Sequence, residues 1–187
     1  MSAGAVVALR AASADDLDAI ADLFLACWTM SYRQVLPRHV LAIHGPASAR
    51  ALWRRSLGGG GGAAQVTVAE HPEGPLAGVV AMGRDEDDAS RGQIFSLYVH
   101  PQAQRSGIGA RLVSEAIERF RAEGLSEASL WVFEANAAAR AFYERLGWHA
   151  DGTSRVEPEY GEPEIRLIRP VVAADRPPPR RRHAARP

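Results

Sequence analysis

The sequence contains no lysine and only one cysteine. All 22 of its cationic residues are arginine, a bias typical of GC-rich coding that carries little functional information. Because Cys27 has no second cysteine to pair with, an internal disulfide is excluded and nothing favours an oxidising compartment. The longest apolar run, residues 77–82, is far shorter than the ~20 residues of a membrane-spanning helix. We therefore expect a cytoplasmic protein without a membrane partner.

A net charge is also lacking, since 22 arginines balance 22 acidic residues. The charge is unevenly placed, however, because residues 176–187 hold five arginines and no acid. Such a segment could contact nucleic acid or another polyanion. Its proline content favours the simpler interpretation of a solvated tail. We expect one domain over residues 1–170, a Pro/Arg-rich disordered tail over 171–187, and no nucleic-acid partner.

The N-terminal third is predicted to be mainly helical. Ser13 and Asp16 resemble a capping box, after which apolar residues recur at helical spacing as far as Cys27. Cys27 lies on that apolar stripe, so we interpret it as a packing residue and not as a nucleophile. The other predictions here are a strand at 6–10, helices beginning at Pro37 and Pro46, and a flexible connection at the five glycines 58–62.

The order of the later elements predicts the fold class. Gln65–Glu70 and Leu76–Arg84 read as an antiparallel hairpin. The elements that follow are a strand at 93–99, a helix at 107–123, a strand at 128–133, a helix at 136–146, and strands at 148–151 and 164–168. This order predicts an α/β (α+β) domain with a single central sheet, mixed and mostly antiparallel, flanked by helices.

Residues 97–110 form the segment that indicates chemistry. An apolar strand leads into a loop, and Gly107 and Gly109 stand at the start of the strongest predicted helix. A helix N-terminus offers unpaired N–H groups and partial positive charge, which suit a pyrophosphate. The glycines allow close approach to the backbone, and Arg105 adds a charge. Two glycines alone would be weak evidence, but the strand–loop–helix context makes this a candidate phosphate site.

Two motifs in this region resemble those of the GCN5-related N-acetyltransferase (GNAT) superfamily. Gln104-Arg-Ser-Gly107-Ile-Gly109 matches its acetyl-CoA motif Q/R-x-x-G-x-G/A, and a similar L-Y-V-x-P strand end precedes it. The family pattern N-x-x-A-x-x-F-Y-x-x-x-G-F/W is matched by Asn136, Ala139, Phe142, Tyr143, Gly147 and Trp148. Trp28, Tyr32 and Leu36-Pro37 resemble many bacterial members. The resemblance covers residues 6–169.

The resemblance implies a GNAT-like acyl-CoA N-acyltransferase fold, acetyl-CoA as co-substrate, no metal, and roles for the matching residues. Where two strands splay apart, backbone groups of Leu97, Tyr98 and Val99 would bind the acetyl carbonyl and the pantetheine arm. The remaining cofactor-binding residues would be Gln104, Arg105, Ser106, Gly107, Ile108, Gly109, Ala110 and Asn136. Tyr143, which shares a helix face with Asn136, would protonate the leaving CoA thiolate. The alternative for Tyr143 is a core aromatic residue.

The sequence departs from the family at Gln93, where many relatives carry a glutamate. Glutamine cannot accept a proton at neutral pH, whereas most amines are protonated there and must lose a proton before they attack. The candidate acceptors of that proton are a water chain, Glu70, an acid within 85–88, and Glu157 or Glu159. An acceptor amine of low pKa and a loss of turnover remain as alternatives.

Three functional hypotheses follow. The first is transfer of an acetyl group from acetyl-CoA to a primary amine, of a small molecule or a protein, by direct attack. The second is a non-catalytic acyl-CoA-binding or regulatory module on the same fold, and the third is nucleic-acid association through the arginine tail. The six histidines offer no metal-binding set, so no metal is expected. The identity of the amine and the formation of a homodimer stay open.

Overall fold

The computed structural model describes residues 7–58, 64–71 and 74–171. Its strands are β1 (Ala8–Ala11), β2 (Gln65–Glu70), β3 (Leu76–Arg84), β4 (Arg91–Val99), β5 (Glu127–Phe133), β6 (His149–Val156) and β7 (Pro163–Pro170). They form one sheet in the order β1-β2-β3-β4-β5-β7-β6. Only β4 and β5 pair in parallel, and every other described pair is antiparallel. The predicted mixed, mostly antiparallel sheet is therefore confirmed.

Helices cover both faces of the sheet. They are α1 (Leu17–Met30), α2 (Arg38–Leu41), α3 (Pro46–Leu57), α4 (Ile108–Ala122) and α5 (Ala137–Arg145), with short 3₁₀ turns at Ala14–Asp16, Tyr32–Gln34 and Pro101–Ala103. One core, which includes Phe24, Trp28 and Trp53, lies between α1, α3 and the sheet. The other, which includes Leu112, Phe120 and Leu130, lies between α4, α5 and the opposite face. In the described ranges no helix is long and apolar enough to cross a membrane.

Most predicted elements are present, and the differences concern their ends. The strand predicted at 93–99 begins two residues earlier, at Arg91, whose carbonyl accepts a hydrogen bond from the Asp85 N–H. The strand predicted at 148–151 continues to Val156. The glycine connection, apart from Gly58, and the arginine tail lie outside the described residues.

The capping box predicted at the start of the first helix is present. The Ser13 N–H donates to Asp16 Oδ2 at 2.7 Å, and the Arg10 guanidinium donates to both oxygens of the same carboxylate at 2.8 Å. These hydrogen bonds from Arg10 lower the pKa of Asp16 to about 2. Arg10 Nε also donates to Glu70 Oε2 at 2.8 Å. Arg10 therefore joins β1, β2 and the start of α1.

β4 and β5 are paired only at their first four residues. Their register runs from Arg91 opposite Glu127 to Ile94 opposite Leu130 and then ends, although both strands continue. A register shift against β3 leaves Phe95 as an extra residue in β4. Such a bulge bends a strand and increases its twist. Beyond Ile94, β4 therefore stays with β3 while β5 stays with β7, and a gap opens between them.

The paired end of β4 depends on close packing at Gly92. A Cβ added there would lie 2.5 Å from Cγ of Phe120, whose side chain is 1% exposed and cannot move away. We expect Gly92→Ala to destabilise the fold by about 1–3 kcal/mol through overpacking. Urea denaturation of the wild type and the variant measures this loss.

Gly83→Ala is the matched control on the neighbouring strand. Its added Cβ would lie 2.9 Å from Cε2 of Phe95, but Phe95 is 41% exposed and its ring can rotate towards solvent. We expect a change of less than about 0.5 kcal/mol, as for other surface substitutions. Equal losses in the two variants would show that packing against Phe120 does not fix β4.

Candidate active site

A cleft of about 760 Å³ opens where β4 leaves β5, and we call it the glycine-loop cleft. It is bounded by the end of β4, the loop before α4, and α5. Nine of the twelve residues predicted from the sequence line it: Leu97, Val99, Gln104, Arg105, Gly107, Gly109, Ala110, Asn136 and Tyr143. The fold thus brings the two sequence motifs to one cleft.

The other three predicted residues lie beside the cleft. The Tyr98 ring packs against the rings of Phe24 and Trp53, with centroids 5.1 and 6.2 Å away. Ser106 Oγ donates to the Ala103 carbonyl at 2.6 Å. Ile108, the first residue of α4, is buried in the core. Their predicted roles towards a cofactor stay predictions.

Backbone direction explains why Leu97 and Val99 face the gap. The His100 N–H donates to the Ala77 carbonyl on the β3 side at 2.9 Å. Since backbone groups alternate between the two edges of a strand, those of Tyr98 also face β3. The N–H and C=O groups of Leu97 and Val99 then face the gap, where β5 is no longer paired.

The loop before α4 has two left-handed residues. Arg105 has a φ of 64° and Gly107 a φ of 85°. Such a value is uncommon for a residue other than glycine, and residues strained in this way cluster at functional sites. Gly107 is the N-cap of α4, so the unpaired N–H groups of the first turn follow directly.

Gly109 serves a different purpose. A Cβ added there would lie 3.2 Å from Cζ of Phe142 and 3.5 Å from Cγ2 of Val99. The first distance is tight and the second is an ordinary contact, so a side chain at this position would require the Phe142 ring to shift slightly. Gly109 therefore allows α4 to pack closely against Phe142 of α5 beside the cleft.

The glycine-loop cleft is positively charged. Arg105 and Arg145 line it, and none of the described residues lining it is acidic. The N-terminus of α4 adds partial positive charge. This combination suits a ligand with several phosphate groups. Arg145 was not identified from the sequence, because it occupies a position of the second motif, between Tyr143 and Gly147, at which the pattern specifies no residue type.

The carbonyl of Val99 is already engaged within the protein. Cys27 Sγ and Gln104 Nε2 both donate to it at 3.2 Å, and Gln104 Nε2 also donates to Ser31 Oγ at 3.1 Å. Burial raises the pKa of the Cys27 thiol to about 12, which suits a hydrogen-bond donor in the core. Gln104 therefore ties the loop to α1 and β4, and the Val99 N–H remains as the group facing the gap.

Asn136 and Tyr143 stand on α5 at the side of the cleft. Asn136 caps this helix, with Oδ1 accepting from the Ala139 N–H at 3.1 Å. Tyr143 is 8% exposed and packs against Phe142 and Trp148. Burial raises the pKa of Tyr143, so its hydroxyl stays protonated and can donate a hydrogen bond throughout the neutral range.

A second cavity of about 380 Å³ lies on the α1 and α3 side of the same gap, and we call it the aromatic cavity. Its aromatic lining consists of Trp28, Tyr32, Phe95, Tyr98, Trp131, Phe133, Tyr143 and Tyr160. Gln93 also lines it. Leu97, Ala139 and Tyr143 line both cavities, so the two cavities adjoin at the gap between β4 and β5.

The carboxylates of the aromatic cavity are Glu157, Glu159 and Glu164. The first two were among the proton acceptors proposed from the sequence. Glu70 is bound by Arg10, and Asp85 accepts from Ser129 Oγ at 3.0 Å; neither lines the cavity.

Sequence reasoning missed Glu164 as a site residue. It is 7% exposed and lies opposite Phe133 across the β5–β7 pair. That strand pairing places it in the cavity, and no sequence motif marks it.

Arg155 connects two of these carboxylates. Its Nε donates to Glu164 Oε2 at 2.8 Å, and Nη2 lies 3.3 Å from Glu157 Oε2. Its guanidinium carbon is 4.3 Å from the centroid of the Trp131 ring. Burial raises the pKa of Glu164, and the hydrogen bond from Arg155 partly opposes that rise. Glu164 is therefore more basic than it would be with the same Arg155 bond at the surface.

Comparison with known proteins agrees with this geometry. The chain is 32% identical over 151 residues to a probable N-acetyltransferase of Mycobacterium tuberculosis, covering 78% of this chain and 82% of the relative. It is also 38% identical over 78 residues to a mycothiol acetyltransferase of Beutenbergia cavernae, but this match spans only 26% of that protein. Among solved structures, the PaiA N-acetyltransferase of Thermoplasma acidophilum in complex with coenzyme A superposes with a TM-score of 0.72 at 18% identity, covering 91% of this chain and 99% of that one.

The sequence profile of the acetyltransferase (GNAT) family matches residues 17–148. That range contains α1 and the two motifs that suggested the family. It also contains Leu97, Ala139 and Tyr143, which line both cavities. The chain belongs to the GNAT family of acetyltransferases.

Proposed function

We propose that the protein transfers an acetyl group from acetyl-CoA to a primary amine by direct attack, within a domain spanning residues 1–170. The observation that carries this proposal is the meeting of two oppositely charged cavities at one gap in the sheet. The glycine-loop cleft carries two arginines and no acid among its described lining residues. The aromatic cavity carries three glutamates and one arginine. One therefore suits a polyanionic cofactor and the other a cationic amine.

The glycine-loop cleft holds the cofactor in this proposal. The pyrophosphate lies at the N-terminus of α4, against the loop that contains Arg105 and Gly107, as anions do at helix N-termini. The pantetheine arm follows β4, where the N–H groups of Leu97 and Val99 face the gap. Asn136 bonds the arm from α5. The coenzyme A bound by the T. acidophilum relative supports this assignment.

The acetyl carbonyl then lies at the gap, with the amine approaching from the aromatic cavity. The amine nitrogen attacks the thioester carbon, so that a C–N bond forms and the C–S bond breaks. Tyr143 lines both cavities and donates a hydrogen bond, and then a proton, to the departing sulfur. The products are an amide and free CoA, and the enzyme forms no covalent intermediate.

The phosphate site is tested by Gly107→Val. The left-handed φ of 85° strains any β-branched residue, and the side chain would stand where the loop meets the cofactor. Acetyl-CoA should raise the melting temperature of the wild type, since it binds only the native state. We expect the variant to lose that rise.

Gly152→Val is the matched control. Gly152 has a φ of 87° and equally open surroundings, but it lies on β6 and lines neither cavity. Its variant should show a similar loss of stability and the full stabilisation by acetyl-CoA. A full rise in melting temperature for Gly107→Val would refute the phosphate site.

The role of Tyr143 is tested by Tyr143→Phe, which removes the hydroxyl and keeps the ring packing. We expect kcat to fall about 100-fold, as for loss of a general acid, while the Kd of acetyl-CoA is nearly unchanged. Release of the CoA thiol measures turnover, and thermal stabilisation reports binding. A weaker Kd with normal kcat would instead identify Tyr143 as a packing residue.

A non-catalytic acyl-CoA-binding module would behave differently from an enzyme. It would be stabilised by acetyl-CoA and release no CoA with any member of a primary-amine panel. The same two measurements therefore separate the two functions.

A further inference from the structure

A direct-attack acetyltransferase needs a group that accepts a proton from the amine, and Gln93 cannot do so. We propose that Glu164 of β7 is that group. This inference rests on the proposed function, because it concerns the acceptor side of the same reaction. Four properties of the structure support it: the position of Glu164, the way it is held, its burial, and the state of its competitors.

The position of Glu164 follows from strand pairing. It lies opposite Phe133 on β5 and opposite Arg155 on β6, at the end of the sheet where β5 has left β4. It lines the aromatic cavity together with Gln93 and Tyr143. Glu164, which accepts the proton of the amine, and Tyr143, which gives a proton to the CoA thiolate, would thus face the same cavity from β7 and α5.

The side chain of Glu164 is held in one orientation. Oε2 accepts a hydrogen bond from Arg155 Nε at 2.8 Å. Within the described ranges Oε1 accepts none, although it belongs to the same buried carboxylate. One oxygen is therefore fixed by the protein while the other is free to accept a proton from a ligand.

The other two carboxylates of the aromatic cavity are less suited to accept the proton of the amine. The side chain of Glu157 is 35% exposed and its carboxylate pairs with Arg155. Glu159 is exposed, and both residues lie in the connection between β6 and β7 and not on a strand. Among the described glutamates that line the cavity, Glu164 alone is buried and fixed by the sheet.

The electrostatic surroundings of Glu164 suit a group that accepts a proton. Burial raises the pKa of Glu164, which makes it a stronger base, and the hydrogen bond and charge of Arg155 favour its ionised form. The other titratable groups around it are Glu157, which favours the protonated form of Glu164, and Tyr32 and Tyr160, whose own pKa values Glu164 raises. Burial raises the pKa of both tyrosines, so neither contributes a charge near neutral pH.

The proton balance closes with groups that the protein and its substrates supply. An ammonium group entering the cavity gives one proton to Oε1 of Glu164, and the neutral amine attacks the thioester. As the amide forms, Tyr143 gives its proton to the sulfur and is reprotonated, directly or through water, by the second proton that the nitrogen loses. Glu164 then returns the first proton to solvent. Overall, R–NH₃⁺ and acetyl-CoA yield the acetamide, CoA and H⁺.

The test compares the wild type with Glu164→Gln, whose amide oxygen can still accept the bond from Arg155. We would measure kcat/KM across pH for the best alkylamine of a primary-amine panel and for an analogue carrying two or three fluorines on its β-carbon, whose pKa is lowered to about neutrality or below. Because Glu164 acts only when ionised, wild-type kcat/KM should fall as the pH drops through its raised pKa. The variant should instead gain rate steadily with pH, as the alkylamine itself deprotonates.

With the alkylamine near neutral pH, Glu164→Gln should be about 100-fold slower than the wild type, within the usual contribution of a positioned base. With the fluorinated amine the deficit should shrink to less than about tenfold, since that amine is already neutral. Glu159→Gln removes the same charge from the same cavity and should alter KM while retaining the wild-type pH profile. Stabilisation by acetyl-CoA verifies that each variant is folded.

Two results would overturn the assignment. An equal loss with both amines at every pH would identify Glu164 as a structural residue, and a wild-type profile in Glu164→Gln would show that another group accepts the proton. Glu164→Asp keeps a carboxylate and should keep the acid limb of the profile at reduced rate. If the wild type itself releases no CoA with any amine, the proposed function fails, which is distinct from either result.

Discussion

The gap between β4 and β5 is the constraint on which the rest of the site depends. A sheet is stable because its backbone groups are paired, so leaving several unpaired in the centre is costly unless a ligand or side chains replace the lost bonds. The bulge at Phe95 opens the gap, and the tight packing of Gly92 against Phe120 keeps the other end closed. Cys27 and Gln104 satisfy one of the freed carbonyls, that of Val99. The remaining groups are left for a ligand.

The division of charge between the two cavities follows from this opening. Since the gap passes through the sheet, it joins its two faces, and each face contributes a different set of elements. α4 and α5 supply arginines and a helix N-terminus, whereas the β6–β7 edge supplies glutamates. A polyanion and an ammonium group are therefore each attracted to a separate side and meet only at the gap. In the proposed reaction, this separation would bring the two substrates to the gap from opposite sides.

Short sequence motifs predicted the part of the candidate site that lies in the loop before α4 and at the start of α5. Gly107 and Asn136 are each marked by neighbours in the sequence, because a helix start needs particular residues at fixed offsets. The succession of strands and helices along the chain also followed from periodicity and turns, except at ends such as Arg91, where a hydrogen bond across the hairpin decides the boundary. Arg145 and Glu164 were not predictable in this way. Their relevance arises from contacts between elements distant in the chain, which a motif does not record.

The glutamine at position 93 is consistent with a base located elsewhere in the same cavity. Glu157, Glu159 and Glu164 already line it, with Arg155 as the one cation among its described lining residues. A further carboxylate on β4 would raise the pKa of the others, since like charges in a poorly solvated site disfavour ionisation. The protonated form of Glu164 would then be more populated near neutral pH, and less of the enzyme could accept a proton. A neutral hydrogen-bonding side chain on β4 avoids this conflict, so a proton acceptor on β7 makes Gln93 a compatible partner and not a defect.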